Sequence, residues 1–182
     1  MTKAEIRKEK LKLRRAMNSE QVSAFSEQIC SKIRNTSEFS EAQNICLYSP
    51  INNEVDVMLL KQDIIKCGKN MWLPKVVGKE MIFILVDENT EFECGSFGIK
   101  EPKSGKILEK ADNSFLVIMP GSVFTSDRKR IGYGGGYYDR FLSENSDCKK
   151  LAAAYEIQIA DDIPSENHDI RPDKIITENS IY

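Results

Sequence analysis

Apolar positions along the chain recur at two periods, and the alternation of those periods predicts an α/β protein. Residues 2–17 read as a helix rich in Lys3, Arg7, Lys8, Lys10, Lys12, Arg14 and Arg15, with Ile6, Leu13 and Met17 as its apolar stripe. Asn18 and Ser19 then cap a second helix whose Val22, Phe25, Ile29, Cys30 and Ile33 share one face. Residues 45–48 form a short apolar strand, left by a loop over 49–53, and Asp56 caps a helix over 57–67 that Gly68 stops. Residues 71–75 read as a strand ending at Pro74, and 81–86, the longest apolar run, as a central strand. Phe92, Phe97 and residues 98–102 make an irregular segment whose aromatics are either exposed or packed as a satellite core. Residues 104–113 are polar and read as mobile. Residues 115–119 are a buried strand ended by Pro120-Gly121, and 151–155 and 174–177 are two late strands. The expectation is one three-layer domain over 1–182, with a mainly parallel central sheet flanked by helices.

Residues 130–139 break the pattern. They read Arg-Ile-Gly-Tyr-Gly-Gly-Gly-Tyr-Tyr-Asp and place four of the chain's ten glycines within five positions. Tyr137, Tyr138, Phe141 and Leu142 follow at helical spacing, so the order is strand, long turn, glycine loop, helix. Glycines let backbone N–H groups approach a ligand closely, a helix N-terminus favours anions, and Arg130 adds a bidentate phosphate partner. A dinucleotide fingerprint would need glycine where Tyr137 stands, and a Walker A loop would end in Gly-Lys-Ser/Thr. A ligand-free tight turn is the alternative. Against it stand the phosphate- and metal-competent flanks and the entropic cost of three adjacent glycines. Lys3 and Arg7 lie one helical turn apart, so both can point at one anion. Glu54 follows the carboxyl end of a strand, where open α/β sheets bind ligands, and can receive substrate N–H groups. The single histidine, His168, has no serine in a G-x-S-x-G elbow to serve, and reads as a loop residue with a structural hydrogen bond.

Net charge is −2 and 41% of the 182 residues are hydrophobic, which suits an ordinary soluble protein. No apolar run reaches the roughly 18 residues of a membrane span, and no signal-peptide core is present. The basic helix could be a nucleic-acid arm, although the rest of the chain is acidic. Glu5 and Glu9 speak against a mitochondrial presequence, and a solvated charged face remains open. Five scattered cysteines without a C-x-x-C argue for reduced thiols in the cytoplasm and against a zinc site.

Residues 130–140 closely resemble the signature of the 5-formyltetrahydrofolate cyclo-ligases, also called methenyltetrahydrofolate synthetases. Lys3, Arg7 and the Arg15-Ala16-Met17 run are similar to the family's N-terminal nucleotide-contacting helix. Glu54-Val55-Asp56, residues 97–102 and residues 164–169 running into 175–178 resemble further family segments. The resemblance implies ATP contacts from Lys3, Arg7, Arg130, Ile131, Gly132, Tyr133, Gly134, Gly135, Gly136, Tyr137 and Tyr138. It implies folate contacts from Ser49, Glu54, Tyr133, Gly134, Gly135, Gly136 and Tyr137, and magnesium ligation by Asp139 and Asp169. Arg130, Tyr137 and Asp139 are the expected catalytic groups. The implied activity is ATP-dependent closure of 5-formyltetrahydrofolate to 5,10-methenyltetrahydrofolate, by a monomer or weak homodimer that binds neither nucleic acid nor membrane. Many members carry glycine where this chain has Arg128, and some carry lysine where it has Gly135. Two readings of other classes stand beside it: a regulatory nucleotide-binding module that has lost turnover, and an RNA-binding protein using the N-terminal helix.

Overall fold

The computed structural model describes residues 1–95, 98–166 and 168–182. Phe97, one of the aromatics singled out above, lies outside them. Helix α1 (Lys3–Arg15) starts at a capping box in which Thr2 and Glu5 satisfy each other's backbone amides, and α2 (Ser19–Arg34) starts at a second box between Asn18 and Gln21. A short α3 (Ser37–Glu41) leads into β1 (Asn44–Cys46). The helix expected over 57–67 opens as a 3₁₀ turn, Val57–Leu60, capped by Asp56, and continues as α4 (Lys61–Lys66) until Gly68 adopts φ +65°. Strands β2 (Asn70–Val77) and β3 (Glu80–Val86) form a hairpin, and β4 (Phe92–Cys94) pairs with β5 (Lys100–Pro102). Then come β6 (Phe115–Met119), β7 (Val123–Thr125), β8 (Arg130–Ile131), α5 (Tyr137–Glu144), β9 (Lys149–Ala153), β10 (Ile159–Ala160) and β11 (Lys174–Ile176).

The main sheet has the order β11-β9-β6-β1-β2-β3, parallel except for β3. Ile45, Leu47, Leu116, Ile118 and Ile176 point to the face covered by α2, α3 and α4; Cys46, Val117, Met119 and Ile175 point to the face covered by α5. Both faces are therefore apolar, which is why β6 is an unbroken hydrophobic run with no buried–exposed alternation. The mainly parallel three-layer expectation holds.

Three local expectations are corrected. The longest apolar run is β3, an edge strand. Its outer edge is covered by the 106–108 segment, expected to be mobile, which donates from Leu108 to Phe83 and accepts from Leu85, while Phe141 of α5 packs 4.9 Å from Phe83. Strand β2 also runs past Pro74 to Val77. The side of Pro74 that lacks an N–H faces where β1 has already ended, so no ladder bond is lost. The long turn before the glycine loop contains β7, which pairs with β8 and with the later β10 in a second sheet, β10-β7-β8.

Candidate active site

Strand β1 is followed in sequence by β2 on one side, while β6, β9 and β11 build outward on the other. The sheet therefore reverses its winding between β1 and β6, and open α/β sheets bind ligands beyond the carboxyl ends of strands at such a point. A cleft of about 770 Å³ opens there. Its walls come from the loop after β1, Pro120 after β6, the glycine loop, α1 and Glu166, His168 and Asp169.

The glycine loop leaves β8 and ends at the N-terminus of α5. Gly134 and Gly136 have φ of +99° and +65°, conformations that a side chain would strain. Among the described residues, none of the amides of residues 133–136 donates to a protein acceptor, so this turn presents open N–H groups to the cleft. Arg130 is buried, donating to Pro120 O at 3.2 Å and through Nη2 to Asp139 Oδ1 at 2.8 Å. Its Nε has no partner among the described residues, and neither does the buried hydroxyl of Tyr138. Asp139 Oδ1 also accepts from the amide of Ile170, the residue after Asp169.

Helix α1 closes this side. Lys3 Nζ lies 2.7 Å from Asp169 Oδ2, and Arg7 Nε donates to Gly132 O at 2.8 Å with its guanidinium beside Gly134. Burial pushes the Asp169 carboxyl up, but the Lys3 ammonium and the Glu166 amide hold it below its ordinary value. Glu166, His168 and Asp169 bring donor atoms within 4.8 Å of one another, and His168 is exposed and paired with Glu166 at 3.1 Å. Glu166 was not among the expected site residues.

The opposite wall is set by Glu54, 6% exposed. Its Oε2 accepts from Ile51 N at 2.9 Å and its Oε1 takes the Tyr133 hydroxyl. Burial pushes its carboxyl above the ordinary value, with Tyr133, Arg14 and the Ile51 amide only partly offsetting it. Ser49 lines the cleft and donates to Lys100 O. Tyr137 lines it as well, its ring 5.1 Å from the Arg140 guanidinium, whereas Ile131 is 2% exposed and also packs with Val123 and Ile163. The expected nucleotide, folate and metal groups thus gather around one cleft, 166 residues apart in sequence in the case of Lys3 and Asp169.

The model of the 5-formyltetrahydrofolate cyclo-ligase family matches residues 1–178. The chain belongs to that family. The family's enzymes are ligases. The chain is similar to the 5,10-methenyltetrahydrofolate synthetase of Aquifex aeolicus, whose NMR structure covers all of it and 92% of that chain at 33% identity and a TM-score of 0.87. The corresponding Mycoplasma pneumoniae enzyme covers 98% of this chain and 99% of its own at 26% identity and a TM-score of 0.75. A probable 5-formyltetrahydrofolate cyclo-ligase of Schizosaccharomyces pombe is 29% identical over 170 residues, 84% of this chain and 83% of that protein.

Within this cyclo-ligase fold, Arg128 adopts φ +66°, the left-handed conformation that suits the glycine of many members. Arg14, in the helix for which a solvated charged face was one open reading, is 1% exposed. It donates to Asn52 O at 3.1 Å, Gly121 O at 3.4 Å and the Tyr133 hydroxyl at 2.7 Å. Leu13, assigned to the apolar stripe, is 47% exposed. Ile6 and Met17 do pack inward, and Lys3, Arg7, Lys10 and Arg14, spaced i, i+4, i+7 and i+11, share that side of the helix, a spacing that was the available signal.

Proposed function

We propose that the chain catalyses the ATP- and Mg²⁺-dependent conversion of 5-formyltetrahydrofolate to 5,10-methenyltetrahydrofolate with release of ADP and phosphate. The observation that carries this reading is the meeting, in one cleft, of open glycine-loop amides, the Arg130–Asp139 pair and the buried acid Glu54. A formamide carbonyl is a poor electrophile, and its oxygen cannot leave as hydroxide near neutral pH. Transfer of the γ-phosphoryl group to that oxygen makes it a phosphate. The N5 lone pair then supports an iminium carbon, N10 attacks it, the C–O bond breaks to release inorganic phosphate, and N10 loses its proton to solvent. No protein nucleophile is needed, so the chain's work is positioning and charge stabilisation.

Lys3, Arg7, Arg130 and the amides of the glycine loop supply the positive lining for a triphosphate. Glu54 is placed to receive the N–H donors of the pterin. The donor set also suits magnesium: Asp139 Oδ2 and Asp169 Oδ1 are hard oxygen donors without a protein partner among the described residues. Asp139 and Asp169 would hold the ion, which supplies charge neutralisation at the phosphates. Five free cysteines suit a reducing cytoplasm.

The test follows the formyl oxygen. Methenyl product, read by absorbance, is expected only with ATP and Mg²⁺ both present, and isotopically labelled formyl oxygen is expected in inorganic phosphate, one atom per turnover. Label recovered in water would overturn the phosphorylation step.

A further inference from the structure

We propose that Arg14 is a positioning residue for the folate half of the site, acting through the Tyr133 hydroxyl to keep Glu54 ionised and to tie the glycine loop to that acid. The inference rests on the cyclo-ligase reading and goes beyond it, because Arg14 does not line the cleft.

Arg14 is the largest fully buried side chain of the protein, and an arginine is seldom buried without a task for its charge. Its bonds reach three segments that make the floor of the cleft: Asn52 in the loop after β1, Gly121 after β6, and Tyr133 in the glycine loop. The third bond is the informative one. Tyr133 accepts from Arg14 Nη1 and donates to Glu54 Oε1, while Arg14 Nη1 stays 3.9 Å from the same carboxylate oxygen. The cation thus reaches the acid by a phenol relay, with its guanidinium carbon 5.7 Å from the Tyr133 ring centre. A hydroxyl between a cation and an anion is polarised in the direction that favours the carboxylate.

The surroundings of Glu54 offer little else to keep it charged. Beside the Ile51 amide, Tyr48 just after β1, Tyr133 of the glycine loop, Tyr138 of α5, and Tyr155, whose hydroxyl donates to Glu54 O, are neutral phenols. Arg14 is the cation within 4 Å among the described residues. A substrate presenting N–H donors needs the ionised acid. Removing the Arg14 charge is expected to weaken folate recognition and to move the acid limb of folate kcat/KM to higher pH, because the active form is the carboxylate. An opposite charge at this distance lowers a carboxyl pKa by about one unit or more, so the limb is expected to rise by about one pH unit.

The test measures pH profiles of kcat/KM for 5-formyltetrahydrofolate with saturating ATP in wild type, Arg14→Met, Arg14→Lys, Tyr133→Phe and Glu54→Gln. Arg14→Met is expected to raise the acid limb and to increase KM for folate roughly tenfold, with KM for ATP within about twofold. Arg14→Lys is expected to bring the limb back toward wild type, which a purely structural role would not do. Tyr133→Phe breaks the relay without touching the arginine and is expected to raise the limb as well; if Arg14→Met does not fold, Arg14→Lys and Tyr133→Phe carry the test. Glu54→Gln is expected to lose the limb. A wild-type limb in Arg14→Met and Tyr133→Phe, an equal loss for ATP and folate, or a limb that persists in Glu54→Gln overturns the inference. A wild-type protein that forms no methenyl product overturns the cyclo-ligase reading itself, so the two failures are distinguishable.

Discussion

Glu54→Gln separates what the buried carboxylate does for a substrate from what it does to the fold. Burial holds its carboxyl above the ordinary value of 4.5, despite the Tyr133 hydroxyl, Arg14 and the Ile51 amide. A carboxyl whose pKa is raised by folding contributes stability that is fully present below the unfolded value and is lost as pH rises through the folded value. At pH 7.5 the ionised acid therefore costs stability. A neutral amide of the same shape removes that cost: its oxygen can still accept from Ile51 N, its NH₂ can donate to the Tyr133 oxygen in place of the bond that hydroxyl gave, and Arg14 keeps Asn52 O and Gly121 O. The melting temperature of Glu54→Gln at pH 7.5 is expected to equal or exceed wild type, with the difference closing as pH falls through the raised folded value of Glu54 toward the ordinary value of 4.5.

Function is expected to move the other way. An amide offers one acceptor where the carboxylate offered two, and its NH₂ opposes the substrate's N–H donors. Two charge-assisted hydrogen bonds at about 1.5–2 kcal/mol each amount to about 3–4 kcal/mol. At 1.36 kcal/mol per tenfold, folate kcat/KM is expected to fall by about two to three orders of magnitude while KM for ATP stays within about twofold. Thermal melts across pH and steady-state kinetics with each substrate varied decide it. A variant that melts lower at pH 7.5 and keeps its folate kcat/KM would refute both the desolvation argument and the anchoring role.

Lys3→Ala and Arg7→Ala are each expected to raise KM for ATP about tenfold more than KM for folate, whereas Lys8→Ala, on the exposed side of α1, is expected to leave both unchanged; equal effects of all three would mean a diffuse field. Lys10→Ala is expected to leave KM for ATP alone and to lower stability by about 1–2 kcal/mol in urea melts, because Lys10 Nζ donates to Ile157 O and Ile159 O. Asp139→Asn is expected to keep the fold and lose turnover by two orders of magnitude or more, and an unchanged magnesium dependence would place the metal elsewhere. Gly95→Ala would put a Cβ 2.1 Å from Glu101 Oε2, so it is expected to displace that buried carboxylate from the cleft wall and cost about 1–3 kcal/mol, read by thermal melting.

What was legible in the sequence follows from the range of the forces involved. The caps at Asn18 and Asp56 and the runs at β1 and β6 depend on neighbours within a few residues, or on burial of both faces, and they were readable. Strand β3 carries the same apolar run as a central strand, but the cover on its edge is segment 106–108, more than twenty positions away. The strands of the second sheet are two or three residues long, too short for any period to show. In α1 the apolar pattern was only part of the signal. Ile6 and Met17 pack inward as expected, but much of the surface facing the helix is carbonyl oxygens and carboxylates, so the half-buried Lys3, Arg7 and Lys10 and the buried Arg14 share that side.

The three adjacent glycines then have separate explanations. Gly134 and Gly136 are required by their positive φ, but Gly135 is not in that region. A Cβ there would lie 2.6 Å from the Tyr137 ring, which itself stacks against Arg140. A side chain at position 135 would therefore require the Tyr137 ring to shift. With no cation from the middle of the loop, positive charge has to enter from outside it, and Lys3, Arg7 and Arg130 are the basic groups that line the cleft. Two of the three come from the basic stripe of α1. The half-buried Lys3 and Arg7 and the cation-free glycine loop are thus one arrangement: the helix brings to the cleft the positive charge that residues 132–136 lack.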